Sequence, residues 1–252
     1  SIGKVLANTR VAPDVTFSDA KANIKFVHRR LNDGEIYWIA NQTKQARKFT
    51  ASFNVTGKKP QLWHADTGAK EDVSYEMVDG RTRVTLDMPA YDAVFVVFVD
   101  DTDVPAVTLA ERTRTAFAEF AQPWTVSFQA HRGAPSQIAL DSLASLTESS
   151  EQGVKYFSGV ATYTNNFKVA KKSLKKNAPS RILLDLGEVK DLAEVTVNGQ
   201  PVGAVWHAPY ILEITASAQA GDNKVEIAVV NPWHNRMVGD MQPGAETATY
   251  SP

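Results

Sequence analysis

At 252 residues, with 43% hydrophobic and 22% charged side chains, the chain has room for one large β domain or two ordinary ones, and its composition excludes wholesale disorder. A net charge of −1 supplies no field to gather phosphates or anionic lipid, no apolar run approaches the roughly 20 residues of a bilayer span, and the first residues lack a basic-then-apolar export signal. Neither a nucleic-acid nor a membrane partner is therefore expected, and the lack of cysteine removes disulfides, thiolate metal sites and cysteine nucleophiles while leaving the compartment open.

Residues 1–22 show no clean period and read as a lead-in, the tail of something upstream. From Asn23 the pattern is β. Ile24 and Phe26 lead to a turn at Asp33-Gly34, residues 35–40 return through Tyr37 and Trp38, and Ala51, Phe53 and Val55 alternate with polar neighbours. Turns at 57–60, 66–68 and Asp79-Gly80 separate three further runs, the last carrying Thr82, Val84, Leu86 and Met88 on one face. The run AVFVVFV at 93–99 is apolar throughout, as in a central strand covered on both sides. Short strands punctuated in this way predict a β-sandwich over 23–100.

The segment 101–122 is expected to be a linker: it opens on the acidic, aperiodic stretch that ends at Pro105. Leu109, Thr113, Ala116, Phe117 and Phe120 fall at helical spacing, which predicts either a short helix or an extended connector. A second β domain follows over 123–252. Residues 125–129 form a strand, and 154–167 form a strand pair or one long strand bent at Gly159. The lysine-rich run 168–176 reads as a solvated edge, with an anionic partner as the alternative.

Within 181–240 four strands follow from alternation alone: 193–197, 202–206 returning after Asn198-Gly199 through a loop longer than two residues, 210–214, and 225–229 ended by Asn231-Pro232.

Glycosidic hydrolysis needs two carboxyl groups roughly 5 to 9 Å apart on a rigid floor. No such pair is legible. Glu188, Asp191 and Glu194 cluster in a turn and on the wet face of a strand, so no catalytic residue is assigned. Asp100, Asp101 and Asp103 offer hard oxygens but lack the ligand spacing of a calcium loop, and the five histidines never pair at metal spacing; no cofactor is expected, and a structural calcium has no support in the sequence. Sugar recognition is different chemistry. The C–H face of a sugar stacks on aromatic rings and its hydroxyls take planar polar partners. Trp206, His207 and Tyr210, then Trp233, His234, Asn235, Arg236 and Asp240, have that mixture. The competing reading is that the tryptophans plug the core and that Arg236 with Asp240 is a structural ion pair.

The order LDLGEV, VNGQPVG, W-x-x-PY, GDN and NPWHNRMVGD within 181–240 resembles the C-terminal galactose-binding-like jelly roll of large glycoside hydrolases. With PDV at 13–15, VHRR at 27–30, IYWIANQT at 36–43, GKKPQLWHADTG at 57–68, PWTVSF at 123–128 and KYFSGVATY at 155–163, it is similar to glycoside hydrolase family 106, the α-L-rhamnosidases. The resemblance implies an all-β fold of two β-sandwich domains in tandem, the second a galactose-binding-like jelly roll, lying downstream of a catalytic (β/α)8 barrel. No βαβα alternation occurs here, and such a barrel takes roughly 250 residues by itself. The expected role is therefore noncatalytic, supporting the barrel of the same parent and contacting rhamnose- or galactose-containing glycans, with the segment alone inactive. A periplasmic or secreted location is favoured. The alternatives are a stand-alone carbohydrate-binding protein, the accessory part of a family 2 β-galactosidase-like enzyme, and a self-sufficient enzyme.

Overall fold

The computed structural model describes residues 12–19, 23–111, 113–116, 118, 120, 123–174 and 181–245, and divides the chain into two compact units, 1–113 and 114–252. The expectations on residues 1–11 and 250–252 lie outside the described residues. Among the described residues no helix is long and apolar enough to cross a membrane.

The first unit contains β1 (Val15–Phe17), β2 (Ile24–Arg30), β3 (Glu35–Asn41), β4 (Arg47–Phe53), β5 (Lys58–Trp63), β6 (Lys70–Asp72), β7 (Tyr75–Val78), β8 (Arg81–Met88), β9 (Ala93–Asp101) and β10 (Ala106–Val107). These make two antiparallel five-stranded sheets, ordered β1-β4-β8-β7-β10 and β2-β3-β9-β5-β6. Alternation decides what goes inside. Phe49, Ala51 and Phe53 of β4 and Val84, Leu86 and Met88 of β8 point inward against Tyr37 and Ile39 of β3 and Val94, Val96 and Phe98 of β9. Val78 pairs with Arg81 across a two-residue turn in which Asp79 and Gly80 both have positive φ, the left-handed geometry that matches strand twist.

Three expectations change here. Val15–Phe17, inside the supposed lead-in, is an edge strand on β4, held by the Arg81 guanidinium on the carbonyls of Pro13 and Ser52. The acidic stretch belongs to the first unit: β9 runs through Asp101, whose carboxylate takes the Lys58 ammonium at 2.7 Å, and Tyr75 donates its hydroxyl proton to the carbonyl of Val104. The described residues between 109 and 120 form no helix; Phe120 instead sets its ring 5.0 Å from Trp124 and 5.4 Å from Phe167, so tertiary contact outweighs weak local periodicity.

The second unit contains β11 (Trp124–Phe128), β12 (Gln137–Leu140), α1 (Gln152–Lys155), β13 (Gly159–Val169), β14 (Leu183–Asp185), β15 (Leu192–Val197), β16 (Gln200–Val205), β17 (Ile211–Glu213), β18 (Gly221–Asn231) and α2 (His234–Asp240). Among the described residues a six-stranded sheet, β12-β11-β13-β18-β15-β16, faces a two-stranded one, β14-β17. Between them lie Trp124, Phe167, Leu184, Val195, Ile214 and Val225. A second apolar cluster, Val126, Phe128, Val154, Phe157 and Ala161, seats α1 on β11 and β13. Both units are all-β in architecture. Two local readings are corrected. Val197 pairs with Gln200, so the Asn198-Gly199 turn has two residues and not more, with positive φ at both. Residues 154–167 are neither a strand pair nor a bent strand, because β13 begins at Gly159 after a helical turn.

One tyrosine in each unit is tied to the fold by its proton. Burial, then the nearby carboxylates of Glu35 and Asp14, pushes the Tyr37 hydroxyl far above its usual range, and burial raises Tyr163. A pKa higher in the folded than in the unfolded state means stability that is fully present below the unfolded value of 10.0 and is lost as pH rises through the folded one. Alkaline unfolding is therefore expected above about pH 10, with Tyr37→Phe and Tyr163→Phe each moving its midpoint upward when followed by circular dichroism. An unchanged midpoint in both variants contradicts this.

Candidate functional site

Register brings the two candidate clusters to one end of the large sheet. Val205, at the end of β16, pairs with Ala193, and Ala193 pairs with Val229 near the end of β18. The strands that lead to Trp206 and Trp233 thus finish at the same end of the sheet, separated only by β15 and about 10 Å apart at strand spacing. Neither indole plugs the core. Trp206 is 55% exposed and Trp233 77% exposed. The Trp206 ring meets His207 edge-on at 5.8 Å, and the His207 ring nitrogen Nδ1 lies 3.0 Å from the carbonyl of Ala208.

The other candidates divide. Tyr210 packs against the core of the second unit and its carbonyl accepts from the backbone N–H of Leu186 at 2.9 Å. Asn235 donates its amide to the carbonyl of Lys155 at 2.7 Å, satisfying the otherwise open end of α1. Arg236 and Asp240 form a largely buried ion pair one helical turn apart. Asn235 thereby ties α2 to the end of α1, the Arg236–Asp240 pair braces the helix internally, and the exposed rings among the candidates are Trp206, His207, Trp233 and His234. Residues 234–240 form α2, although they carry no apolar period that marks them as helical. Once they are, Trp233, Met237 and Met241 share a face, and the two methionines, 56% and 82% exposed, join the site's surroundings.

No hydrolytic centre is assembled by the acidic residues considered. Glu188 is exposed and pairs with Lys190 at 3.2 Å, and Glu194 lies on the solvent face of β15. Among the described residues no three His, Asp or Glu side chains gather as a metal-binding group. Two open clefts, of about 460 and 320 Å³, are lined by other residues: one in the first unit beside Arg30, Asp33, Glu35 and Lys58, the other in the second between β12 and Val154. The aromatic end presents its two indoles to solvent.

Motif residues outside it have structural work. Asn41, buried in IYWIANQT, donates to the carbonyls of Gln45 and Pro89 and accepts from the N–H and hydroxyl of Thr43. His28 of VHRR stacks flat on Tyr37 at 4.1 Å with Asp14 and Glu35 on its two nitrogens.

Comparison with known proteins agrees with this architecture. Residues 1–77 match the glycoside hydrolase family 106 model, described as alpha-L-rhamnosidase, and 136–249 match the glycosyl hydrolase 2 galactose-binding domain-like model. The structure of a rhamnosidase from Novosphingobium sp. PP1Y superposes with a TM-score of 0.90 and 47% identity over 97% of this chain. The chain resembles a region of family 106 glycoside hydrolases. It spans 23% of that rhamnosidase's length. A curated relative titled "Putative beta-glucuronidase" from Formosa agariphila is 42% identical over 120 residues, 48% of this chain and 10% of its own. The structure of an uncultured Clostridium sp. β-glucuronidase aligns over 48% of the chain at 17% identity with a TM-score of 0.37.

Proposed function

We propose that this family 106-like region is a noncatalytic accessory portion of a longer glycoside hydrolase, one that supports a catalytic module and contacts carbohydrate through Trp206 and His207. The observation that carries the reading is the half-exposed Trp206 ring on a loop at the sheet end, in a chain whose considered carboxylates face solvent without converging. An exposed indole stacks on the apolar face of a pyranose without a deep pocket, and the adjacent imidazole supplies a polar partner for a hydroxyl. Asn235, by contrast, fastens the helix after Trp233, the Arg236–Asp240 pair braces that helix internally, and Tyr210 anchors the loop to the core.

Titration of the 252-residue chain with rhamnose-containing oligosaccharides, followed by NMR, is expected to give saturable binding. Trp206→Ala should weaken it about tenfold, or 1.4 kcal/mol, with an unchanged circular dichroism spectrum. Binding that survives this substitution rules out the Trp206 platform. Release of nitrophenol from an aryl rhamnoside by the purified chain rules out the noncatalytic role.

The galactose-binding-like match and the glucuronidase-titled relative favour a second reading of the parent, as an enzyme acting on a β-glucuronide. Substrate profiling of the longer polypeptide on aryl rhamnosides and glucuronides separates the two.

A further inference from the structure

The two sides of α2 are chemically opposed. Toward the protein, Asn235 caps α1, Arg236 pairs with Asp240, and Gly239 approaches Tyr156 so closely that a Cβ there would lie 2.6 Å from the tyrosine Cβ. Away from it, Trp233, Met237 and Met241 recur every four residues, with exposed Val238 on the same helix. An apolar stripe on a helix already immobilised by its other face needs little further ordering to be covered.

We infer that the Trp233–Met237–Met241 face docks against the catalytic module of the longer polypeptide, an inference that rests on the accessory-region reading above. Three observations select this occupant. This chain covers only 23% of the similar rhamnosidase, so a polypeptide of that kind has ample further surface to offer. A glycan finds a single polar group here, the exposed His234 imidazole beside Trp233, while methionine supplies none of use and Asn235, Arg236 and Asp240 are largely buried toward the protein, so this otherwise apolar stripe suits a protein surface better. A free protein or a second copy also fits poorly: the stripe offers on the order of a few hundred Å², against the ~800 Å² per side of a standard specific complex. A tethered module needs less contact area, because the covalent link holds it at an effective concentration of roughly millimolar.

Peroxide oxidation read by peptide mass spectrometry tests the face directly. The chain has four methionines, of which Met237 and Met241 are exposed and Met88 is buried. In the 252-residue chain, Met237 and Met241 should form sulfoxide about tenfold faster than Met88. In the full-length polypeptide their rates should fall to within about twofold of Met88, at every protein concentration and without added oligosaccharide. Fast oxidation in the full-length polypeptide overturns the inference, as does slow oxidation in the 252-residue chain. Protection that requires a raised protein concentration, marking a second copy, or added rhamnose oligosaccharide, marking a glycan, overturns it too. The combined Met237→Gln and Met241→Gln variant of the full-length polypeptide should keep its circular dichroism spectrum while the catalytic module becomes more susceptible to protease at its junction; unaltered susceptibility counts against docking. Hydrolysis by the 252-residue chain sinks the accessory reading instead, so the two failures are distinct.

Discussion

Gly34→Ala is expected to destabilise the first sandwich by about 3 kcal/mol or more, enough to unfold much of that unit under mild denaturant. A Cβ at this position would lie 2.1 Å from the carbonyl oxygen of Phe98 and 3.0 Å from its carbonyl carbon, both backbone atoms. Phe98 belongs to β9, which is hydrogen-bonded between β3 and β5, so neither wall of the contact can yield without opening the sheet. Gly80→Ala is the informative comparison. Its positive φ strains an alanine but its surroundings are open, so the loss should be near 1 kcal/mol. Urea titration combined with hydrogen exchange reads the first unit separately from the second. Equal effects at the two glycines contradict the steric account.

Asn223→Ala is expected to cost the second unit roughly 3 kcal/mol, a drop of about 10 °C in Tm. The buried side chain donates to the carbonyls of Gln219 and Gly221 at 2.9 and 3.0 Å and accepts from the amide of Asn198 and the backbone N–H of Gln219, both at 2.8 Å. Asn198 in turn accepts from the backbone of Lys224 and donates to Ser217, so one substitution leaves several polar groups in two turns unsatisfied. Asp222→Ala, next door and exposed, loses only a long contact to Lys168 and should change stability by less than about 0.5 kcal/mol. Calorimetry of the two variants checks the contrast, and similar losses in both remove the network from the explanation.

These two residues show what a linear reading captures. Asp33-Gly34 is legible as a turn from the dipeptide alone. Its actual reason is the approach of a strand more than 60 positions away, which no local pattern carries. The GDN run, legible from its residue types, forms the start of β18, whereas its bond to the Asn198 turn exists only because the large sheet places both at one end. The site divides in the same way. Trp206, His207 and Trp233 were found from residue type. Asn235, Arg236 and Asp240 share that chemistry, yet a short helix turns them inward to hold itself down. Met237 and Met241 were passed over because nothing distinguished 234–240 from a loop.

Alternation of apolar and polar residues, turn dipeptides and the absence of βαβα units determined by themselves that this protein is built of antiparallel sheets, because side chains of period two can bury only one face of each strand. Which strands pair, where α2 lies and which aromatic rings remain in solvent were decided by tertiary structure alone. Those outcomes depend on contacts between residues distant in the chain, and a sequence records their chemistry without recording their neighbours.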